Sequence, residues 1–260
     1  GNMFQDKMVT PAIPERVYTL CRIAAEGTIT EKALKEKMEP SYLNQNTSYF
    51  ADYRTAAEEL QLITRSDGNI ALAVEPAVIA SMESMRLYVN GRLEEFASGQ
   101  FYQVTKAYYA WGSSVLSGEK NLTALAQPLS KAIGRQVDAM AMRAWRFWAS
   151  YLGLGYLHDM FFIPNADVFL RDVIAHAGLE QGRSYSFGAF IESILPYSRM
   201  IVDDDPANRQ ISYGVSNGLR SLHDMGIIRL EHILDQTDIW SLYPQPHQIA
   251  GTVTNITICR

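Results

Sequence analysis

The chain has 260 residues, a length that suits two or three small domains. Hydrophobic residues make up 47% and charged residues 20% of it, the composition of an ordinary globular protein that can bury a core without metals or disulfides. The formal net charge of −5 disfavours a protein that coats nucleic acid through charge alone.

The sequence also argues against a secreted or membrane-spanning protein. Cys21 and Cys259 lie near opposite ends, so no disulfide framework is expected and a cytoplasmic location is predicted. No run approaches ~18 uninterrupted apolar residues, so we expect no membrane span. The first ten residues lack the basic and apolar regions of a signal peptide.

Charge is unevenly distributed along the chain. Residues 101–165 hold six Lys or Arg against three Asp or Glu, whereas residues 1–100 and 166–260 are each acidic. If any part of the chain binds a polyanion, this middle stretch is the candidate.

The first 75 residues carry a recognisable order of elements. Periodicity predicts an amphipathic helix over 14–26, a short helix capped by Thr30, and a third helix over 46–60. Two apolar runs then flank Ser66-Asp67-Gly68-Asn69, a strong hairpin signal. This order over residues 14–74 resembles the winged-helix superfamily, a variant of helix-turn-helix, with "EELQLITRSDGNIAL" resembling the end of its third helix and its wing.

The corner between the third helix and the strand recurs twice. Leu60, Leu152 and Met225 each end an amphipathic helix and precede an extended apolar run. Gly153 and Gly226 occupy the helix stop, where a positive φ is often required. Repetition on this scale indicates tandem units and is stronger evidence than any local motif.

The repeat predicts an α+β, mainly α fold of tandem winged-helix-like domains joined by helices. Its parts are a winged-helix domain over 1–75, a helical connector over 76–118, a helix-turn-helix-like central unit over 119–165, and a C-terminal winged-helix domain over 166–260. In the central unit we expect helices over 123–134 and 136–151 and a strand over 160–163, with no evident second wing strand. In the last unit we expect helices over 167–177, 185–195 and 213–224, a wing hairpin of 227–230 with 239–243, and a further strand over 249–258.

The tetrapeptide LHDM occurs twice, at 157–160 and 222–225, and could indicate a duplicated His–Asp catalytic pair. In the alignment of corners, however, His158 corresponds to Glu231 and His223 to Ser150, so the two pairs occupy different places. The helix macrodipole explains a histidine at position 223 without catalysis. No metal-ligand spacing and no catalytic string is present, so we predict a protein that is not an enzyme and has no cofactor and no metal.

Winged-helix resemblance implies DNA binding most often and protein interaction as the second use. Asn, Gln and Arg can read base edges, although polar helix faces are also simply solvated. The residues that we predict to contact DNA are Asn44, Gln45, Asn46, Ser48, Arg54 and Arg65 in the first unit, Lys131, Arg135, Arg143 and Arg146 in the central unit, and Arg209, Asn217 and Arg220 in the last.

Two functions therefore stay open. The first is a DNA-binding regulator or accessory factor, with double-stranded DNA as the partner. The second is a non-catalytic interaction scaffold, with a protein partner or a second copy of the chain. In general layout the chain also resembles accessory proteins with several winged helices from bacterial DNA-modification and phage-defence clusters.

Overall fold

A computed structural model of the chain describes residues 2–43, 46–118, 121–203, 205, 207–249 and 251–260. Within these ranges, helices and small antiparallel sheets form an α+β fold that is mainly α, as predicted. None of the helices in these ranges has the length and apolar character that a membrane crossing requires.

The first unit follows the predicted order of elements. Its helices and strands are α1 (Pro14–Ala24), β1 (Ile29–Thr30), α2 (Glu31–Met38), α3 (Phe50–Glu59), β2 (Ile63–Ser66) and β3 (Asn69–Leu72). Pro14 begins α1, and the Thr30 hydroxyl caps α2 by accepting the Ala33 N–H at 3.1 Å. The β2–β3 turn consists of Asp67 and Gly68, both with positive φ, and β3 lies between β1 and β2.

Two helices link this unit to the next, namely α4 (Met82–Asn90) and α5 (Gln100–Ala110). A capping box at Ser81 and Ser84 begins α4. The second of the two helices, α5, packs on the helix that follows it, so the stretch predicted as a connector also supplies the first helix of the central unit.

The central unit has a complete hairpin. Its elements are α6 (Ala126–Ile133), α7 (Ala139–Tyr151), β4 (Gly155–His158) and β5 (Phe161–Pro164). The expectation that it lacks a second wing strand is wrong, because Gly155 to His158 pair in register with Pro164 to Phe161. The strand that begins at Gly155 is hard to predict from the sequence, because glycine has no side chain and interrupts the apolar pattern. A Cβ there would lie 2.4 Å from the Ile163 carbonyl oxygen.

The last unit repeats the first with an insertion in its wing. Its elements are α8 (Asp167–Ala177), β6 (Ser184–Ser186), α9 (Phe187–Ser198), α10 (Tyr213–Asp224), β7 (Ile228–Glu231), β8 (Trp240–Ser241), β9 (Thr252–Val253) and β10 (Asn255–Ile258). The predicted pairing of 227–230 with 239–243 is wrong. The partner of β7 is β10, the predicted C-terminal strand, which lies between β6 and β7, whereas β8 pairs with β9.

The backbone hydrogen bonds of the three corners are equivalent. At each corner the residue after the helix cap has a positive φ, as Gln61 (59°), Gly153 (80°) and Gly226 (71°). The next N–H then reaches back across the helix end, from Leu62 to the Ala57 carbonyl (3.0 Å), from Leu154 to Ala149 (3.0 Å) and from Ile227 to Leu222 (2.9 Å). This is the Schellman pattern of hydrogen bonds, and its threefold occurrence supports the repeat inferred from the sequence.

A second set of hydrogen bonds connects the start of the second helix, or in the central unit the helical turn just before α6, to the hairpin of the same unit. The bonds run from the Glu31 N–H to the Gly68 carbonyl (2.8 Å), from Leu122 to Met160 (2.8 Å) and from Phe187 to Thr254 (2.7 Å). The central unit therefore keeps this attachment, although the described residues ahead of it include no strand equivalent to β1 or β6.

The units share one continuous hydrophobic core. Its centre is the inner face of α7, where Trp145 and Trp148 are fully buried. The Trp148 ring packs edge-on against Phe4 with centroids 4.8 Å apart, and its indole N–H donates to the Ala12 carbonyl at 2.5 Å. The N-terminal segment thus completes the core of a unit that lies more than a hundred residues further along the chain.

Candidate nucleic-acid interface

The third helices of the three units, α3, α7 and α10, occupy equivalent positions before the corners. In a helix-turn-helix protein, the outer face of this helix would enter the major groove. Most of the predicted DNA-contacting residues lie on or beside these three faces, which makes the faces comparable. The three faces differ in the exposure of their basic side chains and in the groups that these side chains contact.

In the first unit, the arginines are paired with carboxylates. Arg54 contacts Glu31, and Arg65 lies 3.1 Å from both Glu31 and Glu58. Partial burial acts to raise the pKa of Glu31, but Arg54 and Arg65 outweigh it and hold that pKa below its usual value. Phosphate would have to compete with two carboxylates for these arginines, so the face presents little free positive charge.

The polar residues before α3 lie in a loop instead of on the helix. The helix begins at Phe50, later than the predicted start at 46, and Asn46 and Ser48 are exposed ahead of it. Asn44 and Gln45, also predicted to contact DNA, fall outside the described residues. The loop side chains Tyr42 and Leu43 are 78% and 70% exposed.

In the central unit, α7 presents an unopposed cation. Arg143 is exposed, and the one hydrogen-bond contact of its guanidinium within the described residues is with the Met140 sulfur, at 3.3 Å. Lys131, in the last turn of α6, is exposed as well, and no described carboxylate pairs with either side chain. The carboxylate of Asp138 is engaged in capping α7 through the Ala141 N–H, at 2.7 Å.

The other two basic residues of this unit hold the structure together. Arg146 lies partly buried over the Phe147 ring, 4.5 Å from its centroid, and reaches the Asp159 carbonyl at 3.4 Å. Arg135 donates to the Ser98 carbonyl at 3.1 Å and pairs with Asp6 at 3.2 Å. Both therefore have structural partners already, unlike Lys131 and Arg143.

In the last unit, residues 243–249, which we call the strap, cover the outer face of α10. The Ser216 hydroxyl accepts the Tyr243 N–H at 2.9 Å, and the Asn217 amide oxygen accepts the Gln245 side-chain N–H at 2.9 Å. At the helix end, His247 Nε2 lies 2.9 Å from the Asp224 carboxylate. The strap belongs to the insertion between β8 and β9, which the first unit lacks.

The covered face includes residues that we predicted to contact DNA. Asn217 is bonded both to the strap and to the Pro164 carbonyl, at 2.9 Å. Arg220 is 4% exposed and donates to the Tyr243 carbonyl. Arg209, before the helix, pairs with Asp238 at 2.6 Å. With the strap in this position, Arg220 is buried and Asn217 is half-buried and hydrogen-bonded, so neither has the freely exposed place on the helix face that we expected.

The Arg220 guanidinium is incompletely satisfied. Its buried Nε and Nη2 atoms have no hydrogen-bond partner among the described residues, and burial lowers the pKa of the group. A buried cation without a carboxylate partner costs free energy. At Arg220, therefore, the packing of the strap against α10 is unfavourable.

The two LHDM segments lie in different surroundings, as the alignment predicted. His158 ends β4 and Asp159 turns the hairpin with φ of 56°, whereas His223 lies in the last turn of α10 and accepts the Leu230 N–H at 3.1 Å. Asp224 instead pairs with His247, from outside the tetrapeptide. In the described part of the chain, no group of three or more His, Cys, Asp or Glu side chains is placed to hold a metal ion.

No family model, no curated protein and no solved structure matches the chain.

Sequence reasoning missed two features that bear on function. One is the strap, for which "YPQPHQI" offers only two prolines typical of an extended segment. The other is a cleft of about 550 Å³ between the central and last units. Its lining comes from three separate stretches of chain, so no local pattern could have predicted it.

Proposed function

We propose that the chain is a double-stranded-DNA-binding regulator or accessory factor, and that the central unit makes the contact. One observation carries the proposal. Among the three equivalent helices, α7 alone presents an arginine, Arg143, that is exposed and opposed by no described carboxylate. Lys131 lies on the preceding helix, in the place from which a helix-turn-helix protein meets phosphates.

The order of elements supports the same function. Helices followed by a two-stranded wing, repeated with equivalent hydrogen bonds at each corner, are the arrangement that the winged-helix resemblance implies. The positive charge of residues 101–165 coincides with the unit whose helix is uncovered. An accessory role in a bacterial DNA-modification or phage-defence system is part of this proposal and rests on general layout alone.

The test is a duplex-binding titration over a salt series, read by fluorescence anisotropy. If phosphate contacts drive binding, the logarithm of the affinity should fall linearly with the logarithm of salt concentration, by about 0.9 per phosphate contacted. The double substitution Lys131→Ala with Arg143→Ala should weaken binding by roughly tenfold or more and reduce the slope by about 2.

Arg229→Ala is the matched control. Arg229 is exposed on β7 and paired with Glu231 at 3.1 Å, so its removal changes net charge without touching the proposed face. Equal weakening per positive charge removed, one in the control and two in the double variant, would indicate a general charge effect. Absence of duplex binding at ~50 mM salt would remove the proposal altogether.

A protein-interaction scaffold is the second candidate, favoured by exposed apolar side chains in two loops of the molecule. Tyr42 and Leu43 project from the loop before α3, and Leu234, in the insertion of the last unit, is 80% exposed. If these positions bind a second copy, light scattering should detect a dimer that Leu43→Ser combined with Leu234→Ser converts to monomer. A wild-type chain that stays monomeric at high concentration would count against this homodimeric form.

A further inference from the structure

A cleft of about 550 Å³ separates the central unit from the last unit. One wall is the C-terminal end of α5 with the turn that follows it, and the other is the α9–α10 loop with the start of α10. This volume is within the range of small-molecule sites, which are mostly concave, apolar and aromatic with a few placed polar groups. The cleft contains none of the residues that we propose to contact DNA.

Aromatic side chains make up much of the wall. Rings line the cleft from both units, namely Tyr109 and Trp111 from the central unit and Tyr213, Trp240 and Tyr243 from the last. Tyr213 and Tyr243 meet edge to face with centroids 5.1 Å apart. Such a wall favours a flat ring, which can stack or pack against edges from several directions.

One end of the cleft offers hydrogen-bond donors that are not used by any described residue. Ser212 precedes α10, yet its hydroxyl does not cap the helix, and within the described part of the chain its buried Oγ has no hydrogen-bond partner. The equivalent residue of the central unit, Asp138, does cap its helix. Among the described residues, no group accepts the backbone N–H of Tyr213 or Val215, and both residues line the cleft. An uncapped helix start beside an unused hydroxyl favours an acceptor, and best a negatively charged one.

The charges at the rim point the same way. Lys106 and Arg199 line the cleft, and the Lys106 ammonium lies 3.3 Å from the Arg199 carbonyl. The nearby carboxylate of Asp203 accepts the Asp205 N–H at 2.9 Å and the Asn208 amide at 2.5 Å, so its oxygens are engaged within their own loop. Among the described lining residues, an incoming anion would therefore meet the Lys106 ammonium beside the Asp203 carboxylate, whose oxygens are hydrogen-bonded within their own loop.

We propose that this cleft is a binding site for a small aromatic molecule that carries an anionic group. The ring lies among Trp111, Tyr213 and Tyr243, and the anion faces the Ser212 hydroxyl and the start of α10, with Lys106 at the rim. The site is built from two units, so its occupant also ties the central unit to the last.

Two dyes with one skeleton separate the aromatic contribution from the anionic one. The anion 1-anilinonaphthalene-8-sulfonate and its neutral analogue N-phenyl-1-naphthylamine differ by the sulfonate, and both fluoresce on entering an apolar site. Titration of the full chain should give one saturable site for the anion, bound about tenfold more tightly than the neutral dye. Quenching of Trp111 and Trp240 should saturate in parallel.

Three variants locate the binding. Ser212→Ala and Lys106→Ala should each weaken the anionic dye by roughly three- to tenfold and leave the neutral dye unchanged. Ala110→Trp adds bulk to the lining at an exposed position and should abolish binding of both dyes. Arg229→Ala, with the same loss of charge as Lys106→Ala but outside the lining of the cleft, should change the binding of neither dye.

Several results would overturn the proposal. Equal affinity for the two dyes would leave an apolar cleft without an anion site. Unchanged binding in Ala110→Trp, with the variant folded by circular dichroism, would place the dye elsewhere. Multiple weak sites, without saturation, would mean an adventitious hydrophobic dye only. None of these outcomes depends on whether the chain binds DNA.

Discussion

The helices α7 and α10 end in the same hydrogen bonds and yet have opposite surroundings. The outer face of α7 is open and presents Arg143, whereas that of α10 lies under the strap with Arg220 buried. The exposure of the corner glycines is reversed. Gly153, after α7, is buried against α8, whereas Gly226, after α10, is exposed. Equivalent backbone in repeated units therefore does not imply equivalent function, because neighbouring segments decide which face stays accessible.

The largest predicted difference is in the free energy of unfolding of alanine variants at the two corner glycines. Gly153→Ala should lower the free energy of unfolding by roughly 3 to 4 kcal/mol, since a Cβ there would lie 2.7 Å from the Phe169 backbone nitrogen at a φ of 80°. Gly226→Ala shares the positive φ but meets nothing closer than 3.6 Å, so about 1 kcal/mol is expected. Urea denaturation of both variants is the measurement, and equal losses would show that packing around the corner is unimportant.

The third of these helices, α3, ends in a buried carboxylate, that of Glu59. Glu59 is 7% exposed and accepts the Phe4 and Gln5 N–H groups at 3.2 and 2.6 Å. Burial raises its pKa to about 7, although those N–H groups act in the opposite direction. The folded chain then binds the proton more tightly than the unfolded chain, so this contribution to stability is lost as pH rises from about 4.5 to about 7.

Glu59→Gln removes the titration, and comparison of the two proteins at pH 5 and pH 8 isolates it. Between pH 5 and pH 8, the free energy of unfolding of the wild type should fall by up to about 3 kcal/mol more than that of the variant. This follows because each unit of pKa shift corresponds to about 1.36 kcal/mol. Parallel pH profiles would mean that Glu59 stays ionised throughout, with its N–H partners outweighing its burial.

Cysteine labelling distinguishes the open face from the covered one. In a Cys259→Ser background, Arg143→Cys should react with a maleimide roughly tenfold or more faster than Arg220→Cys, whose reaction requires the strap to open. Cys21 is fully buried and serves as the internal slow reference. Replacing 244–248 by a Gly-Ser segment of equal length should make position 220 react as fast as position 143, and continued protection would mean that other elements cover α10.

The smallest effect is expected at the first corner, where a non-glycine residue has φ of 59°. Gln61→Gly should raise the free energy of unfolding by no more than about 1 kcal/mol, because relief of the left-handed conformation is partly offset by greater freedom in the unfolded chain. Thermal denaturation checks the sign. A loss of stability would mean that the contact of the Gln61 side chain with Arg92 outweighs the backbone strain.

The sequence predicted what depends on local pattern. Helix periodicity, the Asp67-Gly68 turn and the glycines after Leu152 and Met225 are encoded within a few residues, and the corresponding elements are present. The sequence did not predict β4 in the central unit, because Gly155 interrupts the apolar pattern. It did not predict the pairing of β7 with β10 either, because an insertion separates these two strands in the chain.

The candidate sites were harder to predict for a physical reason. Exposure of Arg143, pairing of Arg54 and burial of Arg220 depend on segments distant in sequence, which periodicity within one helix cannot report. An arginine on the polar face of a predicted helix is therefore only a candidate for DNA contact. The cleft beside Ser212 depends in the same way on two units meeting.

The position of Phe4 has a consequence for how the chain is made. During synthesis, residues 3–12 leave the ribosome long before α7 exists, and their partners Trp148 and Phe101 are not yet available. At ~5–20 residues per second, this segment waits for several seconds with Met3 and Phe4 unpacked. A nascent chain arrested before α7 should therefore keep its N-terminal segment open to proteolysis, and extension far enough for α7 to leave the ribosome should close it.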